Sequence, residues 1–270
     1  MYQFPIGVML ESFRTSEDES IASAVRVGAT GVQIYATHGE HAYDQLVGAR
    51  RKELLAKLKA NGLTISALCG DFGHGFGDPA YNPELIEKSK RVLDLAKHMG
   101  TDVVTTHIGV VPQDPEHDRY KIMQEACFEL SRYADEMDAH FAIETGPETS
   151  VVLKRFLDGL GSRGVAVNFD PANLAAIQNE NAVQAVYNLQ DYIVHTHAKD
   201  AIFLHAADPE VLYGVVRAPD DVPQAPSFKE VPLGEGQVHF PSYLEALEKI
   251  GYKGFLTIER EVGETPYQDI

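Results

Sequence analysis

Positive charge is what this chain has least of. It carries 23 Lys and Arg against 40 Asp and Glu, a formal net charge of −17. A surface that acidic repels phosphate backbones, which argues against nucleic acid as a partner. Cysteine is nearly missing as well. Cys69 and Cys127 are the whole complement, too few for a disulfide framework or a cysteine-rich zinc site. No stretch reaches about 18 unbroken apolar residues, so no membrane-spanning helix is expected. Residues 1–5 show neither the basic region nor the apolar run of a signal peptide, and a cytoplasmic location is expected. The first strand candidate is not followed by the Gly-x-Gly-x-x-Gly order of a dinucleotide site. The glycine-rich residues 70–77 lack the order of a phosphate-cradling loop and read as a tight or mobile active-site loop.

What is present is a rhythm. The chain has 270 residues, 44% of them hydrophobic, enough for a sizeable core. Short apolar strand candidates fall at 6–10, 32–35, 63–69, 103–107, 141–144, 165–170, within 191–200, where the strand runs straight into polar residues, and at 254–259. Nearly all are followed by helix signals; after 165–170 the helix expected is a short one at about 183–189. Ser16 with Glu19 reads as a capping box. Asn61 and Gly62 end a helix through Leu54, Leu55 and Leu58. Pro83 suits the first turn of a helix whose apolar stripe is Leu85, Ile86, Ser89, Leu93 and Ala96, stopped by Gly100. Strands alternating with helices argue a parallel sheet, and eight such units in about 250 residues fit an α/β fold of the (β/α)8 TIM-barrel type. One domain over 1–270 is expected. An irregular excursion interrupts it at about 201–231, where Pro209, Pro219, Pro223 and Pro226 fall. An open doubly wound sheet is the runner-up. Against it, the polar strand ends are spread round the whole chain.

Those strand ends carry the chemistry. His195 and His197 share one face of a strand, since alternate side chains point the same way. Three other strands end in a carboxylate: Glu144, Asp170 and Glu259. With Glu144, Asp170 and Glu259 pointing inward, their inward neighbours are Ala142, Ala166, Asn168 and Thr257. The bulky Phe141, Ile143, Val165, Val167, Phe169, Leu256 and Ile258 then face the helices. A lone strand-end carboxylate is usually a helix cap or an ion-pair partner. Three of them with an imidazole form an oxygen-rich set for a hard or borderline divalent ion. Mn²⁺ is favoured, with Mg²⁺, Co²⁺ or Zn²⁺ as alternatives. His107, at an inward-facing strand end, is a candidate to hydrogen-bond a substrate hydroxyl. His195, one layer deeper, is a candidate to orient a ligand carboxylate. Lys199 and Asp200 lie just past the site, and Glu11 and Arg260 flank its mouth.

The strand ends at Glu144, at 170–173, at 197–200 and at Glu259 resemble the sugar phosphate isomerase/epimerase family, whose fold is the xylose isomerase-like barrel. Residues 232–240 resemble it too. The resemblance implies a divalent metal held by Glu144, Asp170, His197 and Glu259, with Glu144 and Glu259 also acting as the acid/base pair. It implies a small carbohydrate substrate, phosphorylated or not, for which His107, Asn173 and Lys199 are the candidate contacts by their positions, and it leaves a homo-oligomer open. The expected reaction is proton transfer next to a carbonyl through a metal-stabilised enediolate. A keto-inositol dehydratase-type lyase using the same parts is the alternative, and a non-catalytic sugar-binding barrel is a further one. Asn173, Ser150 and Phe203 stand where the ketose 3-epimerase branch has His, an acidic residue and Arg, which argues against that branch. Asn173 and the acidic charge argue equally against the DNA-repair endonuclease branch.

Overall fold

Ser16 begins the first helix as its spacing predicts. Its hydroxyl accepts from the Glu19 backbone N–H while the Glu19 carboxylate reaches back to the Ser16 backbone, so two otherwise orphaned donors are satisfied. The helices that follow are α2 Gly48–Ala60, α3 Asn82–Met99, α4 Asp118–Glu136 and α5 Ser150–Asp158, after α1 Glu17–Arg26. The apolar stripe of α3 is buried throughout, and Gly100 ends it at φ +82°, a conformation that glycine takes without strain. The computed structural model describes residues 3–217 and 225–270.

The strands are β1 Ile6–Met9, β2 Gly31–Tyr35, β3 Thr64–Cys69, β4 Val103–Thr106, β5 His140–Glu144, β6 Val165–Phe169 and β7 Ile193–Ala198, closed by β10 Leu256–Ile258. They form a parallel barrel in the order β1-β10-β7-β6-β5-β4-β3-β2. Phe141, Ile143, Val165, Val167 and Phe169 are fully buried in the apolar layer between barrel and helices. Asn168 and Thr257 point into the barrel, where they meet other polar side chains. The register of β6 against β7 slips between Val167 and Asn168, so Asn168 lies opposite His195. That bulge re-aims the two histidines.

Two expectations need correction. First, the described part of 201–231 is not irregular throughout. β8 Asp200–Phe203 and β9 Phe228–Val231 pair as an antiparallel hairpin, and α8 Pro209–Leu212 forms a single turn between them. Pro209 is tolerated because it occupies the start of α8, capped by Asp208, and Pro226 lies just before β9. Pro219 and Pro223 lie outside the described residues. Second, a helix follows β6 directly. It is α6 Pro171–Gln178, ahead of α7 Ala182–Leu189. Asp170 followed by Pro171 is its sequence signal, a capping carboxylate with proline at the first helical position. The last helices are α9 Phe240–Lys249 and α10 Pro266–Asp269.

Among the described residues, no helix is long and apolar enough to cross a membrane. The loop at 70–77 is tight rather than free: Phe76 is buried edge-on against Phe141, and its backbone N–H binds Ile108 O.

Candidate metal centre

Four adjacent strands of the barrel, β5, β6, β7 and β10, each bring one candidate ligand to its C-terminal end. Glu144 ends β5, Asp170 follows β6, His197 lies in β7 and Glu259 follows β10. One ligand atom from each of the four lies within 4.8 Å of every other, and all four residues are buried. His197 Nδ1 is 3.5 Å from Glu144 Oε2, 3.5 Å from Glu259 Oε2 and 3.7 Å from Asp170 Oδ2. Two oxygens on opposite sides of one divalent ion lie about 4–4.6 Å apart, so the cage is nearly of the right size.

At Asp170 one oxygen caps a helix and the other is left open to a ligand role. Oδ1 accepts from the backbone of Ala172 and Asn173 and so caps α6. Oδ2 is buried with no hydrogen-bond partner. An orphaned carboxylate oxygen is costly unless something pairs with it. A cation between the three carboxylates and the imidazole would supply that partner, so the residues fit a divalent metal. Burial alone would push the His197 pKa down, but the Glu259 and Glu144 carboxylates outweigh it and hold it well above the usual histidine range. Burial likewise raises the Glu144 pKa, and the His197 and His107 imidazoles more than reverse this.

A layer of neutral groups positions the cage. Asn168 Nδ2 donates to Glu144 Oε2 at 3.2 Å, and Asn173 Nδ2 donates to Glu144 Oε1 at 2.9 Å. His195 reaches no carboxylate directly. Its Nδ1 bonds Asn168 Oδ1 at 2.9 Å and its Nε2 bonds Thr257 Oγ1 at 2.9 Å, so it acts on Glu144 through Asn168. Burial, with His197 adding to it, drops its pKa to about 3 and keeps it neutral. Lys199 is buried. It donates to Glu259 Oε2 at 2.8 Å and to Glu261, with Glu230 at 3.9 Å.

Above the cage lies a cavity of about 290 Å³, at the lower edge of ligand-site sizes. His107 lines it, with Nδ1 held by Asp71 Oδ2 at 3.0 Å and Nε2 3.8 Å from Glu144 Oε1. Burial lowers the His107 pKa, and Glu144 and Asp71 more than compensate, raising it to about 9. Asn173, Lys199, Tyr35, Tyr213 and Phe228 also line the cavity. Asp71 represents the 70–77 loop there, and Leu212, Tyr213 and Phe228 represent the hairpin region.

Other candidates have structural tasks. Asp200 accepts four backbone N–H groups, from Ala201, Gly234, Gly236 and Val238, and so ties down residues 234–238. A Cβ on Gly236 would lie 2.2 Å from Asp200 Oδ1, which explains a glycine there. Arg260 binds Glu230 and Asp269. Glu11 accepts from the Tyr35 backbone. Ser150 is held by Glu180 at the start of α5, and Phe203 pairs with Phe228. Gln33, Asp71 and Glu261 were not legible as site residues. Gln33 had a signal, a lone amide inside an otherwise apolar strand.

No curated protein sequence matches the chain. Several solved structures share its fold. A xylose isomerase domain protein from Planctomyces limnophilus is 25% identical, with 99% of this chain and 92% of that one covered and a TM-score of 0.77. The apo form of 3-keto-D-glucoside 4-epimerase, YcjR, from E. coli is 18% identical, with 98% and 95% covered and a TM-score of 0.71. A xylose isomerase-like TIM barrel protein from Mycobacterium smegmatis in complex with magnesium is 18% identical, with 100% and 95% covered and a TM-score of 0.71. The family profile itself matches residues 21–269, so the chain belongs to the xylose isomerase-like TIM barrel family.

Proposed function

We propose that the protein is a divalent-metal-dependent sugar isomerase or epimerase that moves a proton on a carbon next to a carbonyl. One observation carries this reading: Glu144, Asp170, His197 and Glu259 converge from four strands at the floor of a monosaccharide-sized cavity. These four residues would hold the ion. Three carboxylates and one imidazole favour Mn²⁺, with Mg²⁺, Co²⁺ and Zn²⁺ as alternatives. When bound, such an ion polarises a carbonyl and makes the neighbouring C–H bond more acidic. The 4-epimerase among the similar structures supports the assignment of reaction class.

Glu144 and Glu259 stand at the two ends of the ligand arc, so one faces each flank of a substrate seated above it. One carboxylate takes the proton. Epimerisation then needs the other to deliver a proton to the opposite face. Isomerisation needs a proton returned to the neighbouring carbon. Asn168 and Asn173 hold both oxygens of Glu144, and Lys199 holds Glu259. Asn173 and Lys199 therefore serve the glutamates first and substrate oxygens second. His107, fixed by Asp71 through Nδ1, offers Nε2 to a substrate hydroxyl.

The test is a panel of ketoses, aldoses, keto-glycosides, keto-inositols and sugar phosphates in D₂O with Mn²⁺-loaded protein, followed by NMR. Deuterium should enter at the carbon next to the carbonyl of at least one sugar. Metal-loaded protein that exchanges none of them would sink the proposal.

A further inference from the structure

The charge lining the cavity selects among substrates. Lys199 is the one permanent cation among the described residues that line it, and it is already engaged by Glu259, Glu261 and Glu230. Facing it are Asp71, Glu144, Glu259 and Glu261, with Asp170 in the cage below. A divalent ion, Lys199 and a charged His107 together still leave the site net negative. Two nearby arginines are committed elsewhere. Arg119 binds Glu210, and Arg260 is buried between Glu230 and Asp269. Lys229 is exposed, and its strand neighbours Phe228 and Glu230 are the ones that reach the cavity and Lys199, so Lys229 points the other way. Residues 218–224, which lie outside the described ones, contain no Lys or Arg in their sequence. The helix start nearest the cage is no phosphate seat either, because Asp170 already caps α6. Away from the cage the wall is apolar, built by Ile177, Leu212 and Phe228.

A phosphate monoester needs paired donors such as Arg, Lys or a free helix N-terminus to replace its hydration. In this cavity it would meet surplus carboxylate charge or an apolar wall instead. We propose that the site takes an uncharged, monosaccharide-sized polyhydroxy compound and discriminates against its phosphate ester. The proposal rests on the sugar-site reading above and adds to it the charge class of the substrate.

Binding separates this claim from the reaction. Mn²⁺-loaded protein is titrated with ribitol and with ribitol 5-phosphate, and the paramagnetic broadening of each compound's NMR signals gives its affinity. Ribitol is expected to bind at least about tenfold more tightly than the phosphate. Glu261→Gln removes a rim carboxylate and releases Lys199 from one partner, so it should narrow the gap by about two- to fivefold, the size of a partly exposed charge interaction. Equal or tighter binding of the phosphate would overturn the proposal, as would binding of neither compound. A preference for ribitol in a protein that exchanges no sugar in D₂O would refute the isomerase reading and leave the charge assignment standing.

Discussion

Gln33, on β2, accepts a hydrogen bond at 3.2 Å from Nε2 of His197, on β7. The direction follows from the next bonds in the chain. Thr105 Oγ1 donates to Leu68 O at 3.5 Å, so it accepts from Gln33 Nε2 at 3.0 Å. The Gln33 carbonyl oxygen is then left facing His197. Nδ1 is the atom that faces Glu144, Asp170 and Glu259, so an ion bound there would displace the Nδ1 proton and leave the Nε2 proton held by Gln33. Gln33 thereby fixes which nitrogen of this candidate metal ligand would keep its proton.

Replacing Gln33 should therefore weaken metal binding without touching the cage. Gln33→Leu is expected to lose about 10–100-fold in Mn²⁺ affinity, the usual effect of removing a ligand's hydrogen-bond partner. Isothermal titration of metal into chelator-treated protein reads it, with circular dichroism as the control for folding. Unchanged affinity in a folded variant would refute the relay.

Asp170 offers a cleaner separation, because its two oxygens do different work. Asn is as good a helix cap as Asp but carries no charge. Asp170→Asn should keep the metal-free protein at least as stable as wild type, since a buried unpaired carboxylate oxygen is gone. Asp170→Ala should lose about 1 kcal/mol for the missing cap. Mn²⁺ at 100 times its dissociation constant should stabilise wild type by about 2.7 kcal/mol. That corresponds to a rise in Tm of roughly 5–10 °C for a chain of this size. Both variants should lose most of that rise. A full metal-induced shift in Asp170→Asn would show that Oδ2 is no ligand.

The barrel was legible because its cause is periodic. Eight apolar runs, each ended by glycine, proline or capping residues, repeat along the chain, and the inward parity of Ala142, Asn168 and Thr257 follows from strand geometry alone. The four converging residues were legible because each ends a strand, and all strand ends of a barrel face one mouth. What was not legible depends on distance in space. Gln33 meets His197 across 164 residues, and Asp71 meets His107 across 36. No local pattern encodes such pairs. The hairpin of β8 and β9 escaped for another reason: prolines at a helix start and before a strand look locally like disorder. In the sequence a strand-end carboxylate such as Asp170 reads as ligand or cap, and its two oxygens allow both.

Glu148 links the fold to pH. It is buried four residues past Glu144. Its Oε2 accepts from the Val111 backbone at 3.1 Å, and its Oε1 has no partner. Burial pushes its pKa up from 4.5 to about 8, partly opposed by the Val111 N–H and by His107. Below pH 4.5 the group is protonated in both folded and unfolded chains and costs nothing. Between 4.5 and 8 the unfolded chain releases the proton and the folded one keeps it, so stability falls as pH rises. Glu148→Gln mimics the protonated form and should remove that share of the slope. Urea unfolding of metal-free protein at pH 5 and pH 8 measures it. The variant should gain on wild type at pH 8 relative to pH 5. An equal difference at both values would mean that Glu148 is ionised in the folded protein.

The two glutamates give the decisive test of chemistry. Glu144 and Glu259 reach His197 Nδ1 at the same 3.5 Å from opposite ends of the arc, but their surroundings differ. Two asparagine amides hold Glu144, whereas an ammonium holds Glu259. A ligated carboxylate is a weak base in any case, and only a substrate C–H bond made acidic next to the carbonyl compensates. Glu144→Gln and Glu259→Gln should therefore fold, bind Mn²⁺ more weakly, and at saturating Mn²⁺ still turn over about 10²–10⁴-fold more slowly. Glu259→Gln should also free Lys199, so its loss in metal affinity should be the smaller of the two: the released ammonium finds Glu261 and Glu230 close by. Turnover measured against Mn²⁺ concentration separates the two effects. A Gln variant that regains near-full activity at saturation has lost only a ligand. The proton must then travel through another group facing the substrate, and His107, held by Asp71 with Nε2 3.8 Å from Glu144, is the first to replace.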